Sequence, residues 1–133
     1  MLTTIVAQRK DADCGVTALS SYLHIAYEDV YVAAVAVQPN VSKCGLYARE
    51  VLDIADLLGR PLKIKRRPNL DSDSGILGIN YVNAKGKIKG DGHWVVLIDG
   101  KLLDGQPPQL WDDAEEYLAT QRARAGWLLT EDE

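Results

Sequence analysis

The stretch HWVVLIDGKLLD, from His93 to Asp104, decides how the chain folds. His93 to Ile98 is apolar after its first residue and rich in β-formers, which predicts a strand. Asp99-Gly100 is the residue pair that favours a two-residue hairpin turn, so Leu102 to Asp104 is the return strand. With Asp99 and Gly100 as the loop, Ile98 pairs with Lys101, Leu97 with Leu102, Val95 with Asp104 and His93 with Gln106. Side chains alternate between faces, so His93, Val95 and Asp104 share one face. His93 and Asp104 are then diagonal neighbours, about 7 Å apart at the backbone and within side-chain reach. A carboxylate so placed accepts from the imidazole and selects its tautomer. The competing reading is that Asp104 only starts a turn before Gly105 and Pro107. Gln106, directly opposite His93, is then the next candidate partner.

Three apolar stretches precede this hairpin. From Cys14 to Ala26 apolar residues recur at Val16, Leu19, Tyr22, Leu23 and Ala26, with Asp13 at the N-cap position; this is helical spacing. Asp29 to Val37 is valine-rich and fits helix or strand until Pro39 stops it. Leu46 to Leu58 is helical, with Tyr47, Val51, Ile54, Ala55 and Leu58 on one face, and it ends at Gly59 and Pro61. Leu62 to Arg66 alternates apolar and basic, and Gly75 to Val82 reads as a central strand. After the hairpin, a helix runs from Asp112 or Asp113 to Ala123, with Asp112 as cap and Glu115 three residues on. Trp127 to Thr130 is a last strand. Helices first and an antiparallel sheet afterwards predict an α+β fold, with residues 1–133 as a single domain. Asn83 to Gly92 is a Gly/Lys-rich loop leading into His93.

Composition narrows the function. The chain has 133 residues, 47% of them apolar, and a net charge of −4. An acidic chain of this size gives no phosphate-binding surface, so nucleic acid is not expected as a partner. Its one basic cluster, Lys63, Lys65, Arg66 and Arg67, reads as the solvent face of an edge strand. The longest nearly apolar run, Val30 to Val37, is too short to span a bilayer. Met1 to Ala7 has neither a basic region nor an apolar stretch of signal-peptide length, so a cytoplasmic location is expected. Two cysteines, Cys14 and Cys44, make no disulfide framework. Neither they nor the histidines show zinc-ligand spacing, so no metal and no cofactor are expected.

Cys14 opens the first helical pattern. Unpaired N–H groups and the helix dipole at such a position favour an ionised, nucleophilic thiol. The commoner role of a cysteine is that of a small buried core residue. Of the two histidines, His24 lies ten residues along the same predicted helix, roughly 15 Å away along its axis. His93 is therefore the candidate base. Gln8 has a side-chain amide able to donate, together with the Cys14 backbone N–H, to an oxyanion. Cys44 opens a second helical pattern and is the rival nucleophile.

Ile5-Val6-Ala7-Gln8, followed by Asp13-Cys14-Gly15-Val16-Thr17-Ala18-Leu19, resembles the active-site start of the C39 peptidases. These are papain-like cysteine peptidase domains that remove double-glycine leader peptides from bacteriocin precursors. Gly45 and Ala55-Asp56-Leu57-Leu58-Gly59 resemble the second block of that family. Gly92-His93-Trp94-Val95-Val96-Leu97 resembles its histidine strand, Leu103-Asp104 its aspartate, and Ala125-Gly126-Trp127-Leu128-Leu129 its closing strand. The resemblance implies a papain-like fold, a Cys14–His93 catalytic dyad, Asp104 as orienter and Gln8 in the oxyanion hole. It implies a peptide or protein substrate. No Walker-type glycine loop is present in these residues, so any transporter or host-protein partner is expected to be a separate chain. The alternative is a catalytically weak or inactive C39-like domain that binds a peptide or partner protein.

Overall fold

The computed structural model describes residues 13–85, 87, 92–105 and 108–131. Within them the chain forms α1 (Cys14–Leu23), α2 (Tyr27–Val37), α3 (Val41–Cys44) and α4 (Ala48–Leu57), then β1 (Lys63–Lys65), β2 (Gly75–Tyr81), β3 (His93–Ile98), β4 (Lys101–Gly105) and β5 (Pro108–Trp111), and last α5 (Ala114–Gln121) and β6 (Ala123–Thr130). The strands make one antiparallel sheet in the order β1-β6-β2-β3-β4-β5. The fold is α+β, with the first four helices preceding the sheet. Gln8 and Gln106 lie outside the described residues, as does much of the loop between Asn83 and Gly92.

Alternation along the strands divides the core. Ile76, Val96, Leu103 and Leu129 face the layer made by α1, α2 and α4, where Val16, Leu19, Leu23, Val30, Val51 and Ile54 are buried against them. Leu77, Ile79, Val95, Leu97, Leu102 and Leu128 face the other way, onto Ala114, Tyr117 and Leu118 of α5. A strand covered on both faces has no polar side. That is why β2 and β3 read as near-continuous apolar runs.

The β3–β4 register follows from its turn. Asp99 at φ 47° and Gly100 at φ 83° both occupy the left-handed region, as a two-residue hairpin turn of this hand requires. Val96 stands opposite Leu103, Leu97 opposite Leu102 and Ile98 opposite Lys101. The carbonyl of Gly100 accepts from the Ala114 N–H at 2.9 Å, which ties the start of α5 to the hairpin tip.

Several elements differ from the sequence expectations. α1 stops at Leu23, where His24 takes a left-handed conformation at its C-cap, so Ala26 falls outside it and is the N-cap of α2. The valine-rich stretch is helical, since α2 packs its Val30 and Ala34 under α1 and α4. Tyr47 is the N-cap of α4 and is 81% exposed, so it leaves the apolar face carried by Val51, Ile54 and Ala55. Every residue of β1, an edge strand, is exposed, Ile64 included. β5 had no sequence signal, and Asp113 rather than Asp112 caps α5, accepting from the Glu115 N–H at 2.9 Å. The final strand begins at Ala123, four residues ahead of Trp127.

Trp94 joins the two main layers. Its indole N–H donates to the Leu46 carbonyl at 2.8 Å. Its ring lies on Gly78 of the neighbouring strand, where a Cβ would stand 3.0 Å from the ring. It also lies near Gly15, the residue after Cys14, where a Cβ would come within 3.3 Å of the indole.

Asp13, fully buried, occupies the N-cap position of α1 but makes no side-chain capping bond; its carboxylate accepts from the Tyr27 hydroxyl. This bond moors the start of α1 to α2. Tyr27→Phe should lower stability by about 1–3 kcal/mol, since a buried acceptor loses a donor. Urea unfolding reads the change, and a loss well below that range would show that the mooring is dispensable.

Candidate active site

Cys14, His93 and Asp104 come from three elements and meet at one end of β3. Cys14 is the first residue of α1 and is half-buried. His93 is the first residue of β3 and shares the face of Val95 and Leu97, the side covered by α5. α1 packs on the opposite face, so its N-terminus can reach the imidazole only where the strand begins. There the Cys14 thiol lies close enough to the His93 ring to favour its protonated form.

The ring's other contact is explicit. His93 Nε2 stands 2.8 Å from Asp104 Oδ1, with the two side chains 11% and 5% exposed. A carboxylate accepts only, so Nε2 carries the proton and Nδ1 is left for the thiol. The hairpin places Asp104 on the face of His93, as the turn pair predicts, and Asp104 does not turn away toward Gly105.

The carboxylate has a partner that the sequence reading did not supply. The Tyr117 hydroxyl, from α5, donates to Asp104 Oδ2 at 2.7 Å. Its signal was present: Ala114, Tyr117 and Leu118 make the buried face of α5, and a tyrosine on such a face needs a hydroxyl partner. Tyr81 of β2 borders the same group, close enough to feel the charges of Asp104 and Cys14.

Burial alone would lower the His93 pKa. The hydrogen bond that the ring donates to Asp104 and the neighbouring Cys14 thiol, together with the negative charges of that carboxylate and of a Cys14 thiolate, outweigh it and raise the value from 6.5 to about 9. Burial first, and then the bond to Asp104, push the Tyr117 phenol well above the ordinary tyrosine range. Burial and the Asp104 and Cys14 charges also raise Tyr81.

His24 is exposed at the far end of α1 from Cys14, so it takes no part in this cluster. Cys44 closes the single turn α3 instead of opening a helix, so it lacks the N-terminal position that favours a thiolate. Among the described residues, no group of three or more His, Cys, Asp or Glu side chains is placed to hold a metal ion. Nor is any of their helices long and apolar enough to cross a membrane.

The arrangement is a thiol beside an imidazole that a buried carboxylate orients, which suits nucleophilic acyl transfer. Iodoacetamide near neutral pH should therefore alkylate Cys14 faster than Cys44, and His93→Ala should slow the reaction at Cys14. Peptide mapping decides, and preferential labelling of Cys44 would reverse the assignment. The raised His93 pKa also has a stability consequence. Protonated His93 stabilises the folded state fully below about pH 6.5, and the contribution fades as pH rises through about 9. The stability gap between wild type and His93→Ala should narrow across that window. A gap of constant size between roughly pH 6 and pH 10 would contradict the coupling. No protein-family model and no curated protein matches the chain, so the chemistry of the site is read from its geometry.

Proposed function

We propose that the protein is a papain-like thiol peptidase that cleaves a peptide or protein substrate. The observation that carries this reading is the His93 ring held by Asp104 at 2.8 Å, with Cys14 at the start of α1 near enough to influence that ring. The nucleophile begins a helix and the base begins a sheet strand, which is the division of labour in papain-like sites. The resemblance of the Gln8 to Leu19 segment to C39 peptidases supports cleavage after a double-glycine-like site.

In this mechanism Cys14 Sγ bonds to the substrate carbonyl carbon, and the carbonyl oxygen takes the electron pair. The Cys14 backbone N–H and the Gln8 amide donate to that oxyanion. Protonated His93 gives its Nδ1 proton to the leaving amine as the C–N bond breaks, and a thioester remains. Water then attacks the thioester while His93 takes one of its protons. The C–S bond breaks, releasing the acid and restoring the thiolate–imidazolium pair. Asp104 holds Nε2 throughout, so Nδ1 stays directed at the sulfur and the leaving group.

A peptide aldehyde ending in Gly-Gly tests the reading: it should form a hemithioacetal on Cys14, and the corresponding peptide should be cut. Cys14→Ala should abolish both. Asp104→Asn should retain more turnover than Asp104→Ala, and both more than Cys14→Ala, because an amide still orients the ring. Gln8→Ala should lower kcat by up to ~100-fold; unchanged turnover would remove Gln8 from the mechanism. A folded protein that binds such peptides and cuts none would be a binding domain.

A further inference from the structure

We propose that Tyr117 is a positioning residue for this site: its hydroxyl holds the Asp104 carboxylate in the orientation that keeps Oδ1 on His93 Nε2. The inference rests on the peptidase reading only where turnover is measured.

A carboxylate can rotate about its Cβ–Cγ bond, and in a buried site each orientation is decided by the donors around it. Both oxygens of Asp104 accept: Oδ1 from His93 Nε2 at 2.8 Å and Oδ2 from the Tyr117 hydroxyl at 2.7 Å. Both bonds go to an anion, the class that holds geometry most firmly. The tyrosine is itself held. Trp111 packs edge-on against its ring, with centroids 5.4 Å apart. One turn before it, the Ala114 N–H bonds the Gly100 carbonyl at the hairpin tip. α5 therefore grips the β3–β4 hairpin at both its tip and its chemical end.

Among the described residues, the titratable groups around His93 are Cys14 from α1, Asp104 from β4, Tyr81 from β2 and, through Asp104, Tyr117 from α5. Tyr117 remains a donor across the working pH range, because burial and the adjacent carboxylate oppose its ionisation.

Tyr117→Phe keeps the ring and its contact with Trp111 and removes only the hydroxyl. Without the Tyr117 hydroxyl, the carboxylate loses one of the bonds that fix its orientation and holds the imidazolium less firmly. The His93 midpoint, followed by NMR, should fall by at least roughly half a pH unit. Turnover should drop on the order of tenfold in kcat with KM nearly unchanged. In an Asp104→Ala background the same substitution should add nothing further, since Tyr117 acts through that carboxylate. In the unaltered protein, the Tyr117 hydroxyl proton should appear as a slowly exchanging downfield resonance that Asp104→Ala removes. An unshifted His93 titration in Tyr117→Phe, or the absence of that resonance, would overturn the proposal and leave Tyr117 as packing. If the wild type cuts no peptide, the peptidase reading falls, while the titration and the hydroxyl resonance still decide the role of Tyr117.

Discussion

A carboxylate that is 4% exposed keeps its charge only among donors, and Asp104 sets what the surrounding elements must do. β4 has to bring it to the face of β3 that carries His93. α5 has to cover that face with a tyrosine at the matching height. The imidazole that answers Asp104 is then favoured in its protonated form, with one ring nitrogen directed away from the carboxylate. Each requirement concerns backbone position before it concerns side-chain identity, which is why the site depends on register and layer packing together.

Cys14 arrives from the opposite side of the sheet. α1 lies against Ile76 and Val96, while His93 belongs to the face of Val95 and Leu97. Contact between them is possible only at a strand end, and Trp94 governs the spacing there. It touches Gly78 below, approaches Gly15 beside the thiol and bonds the Leu46 carbonyl across the layer. Its neighbour in sequence is His93, so one dipeptide of β3 serves both faces: His93 meets Asp104, and Trp94 meets the helix layer.

How much of this could be read from residues alone depended on range. The His93–Asp104 relation needs only a turn type and the alternation of a strand, both local, and Asp99-Gly100 announces the turn. The division of the sheet into two buried faces was hidden, because Leu77 and Ile76 look alike in sequence though they serve different cores. β5 was concealed by Pro108, a residue that argues against strands yet is tolerated on an edge, where it pairs with Gly105. α1 was read too long because its stop is a left-handed histidine rather than a glycine. Asp13 stood in the capping position but spends its carboxylate on Tyr27, a choice made by tertiary packing. The partnership of Tyr117 with Asp104 needed the docking of α5, and no spacing rule reaches that far.

Hairpin tips ordinarily absorb insertions and deletions, being exposed and far from the core. The Asp99-Gly100 turn does not belong to that class. A residue added there without a compensating bulge would pass every later side chain of β4 to the other face, carrying Asp104 away from His93 while Leu103 took its place. It would also unseat the Gly100 carbonyl from the head of α5. Two surface residues thus act as the parity bit of the site: the length of the turn, more than its composition, encodes which side of the sheet receives the charge.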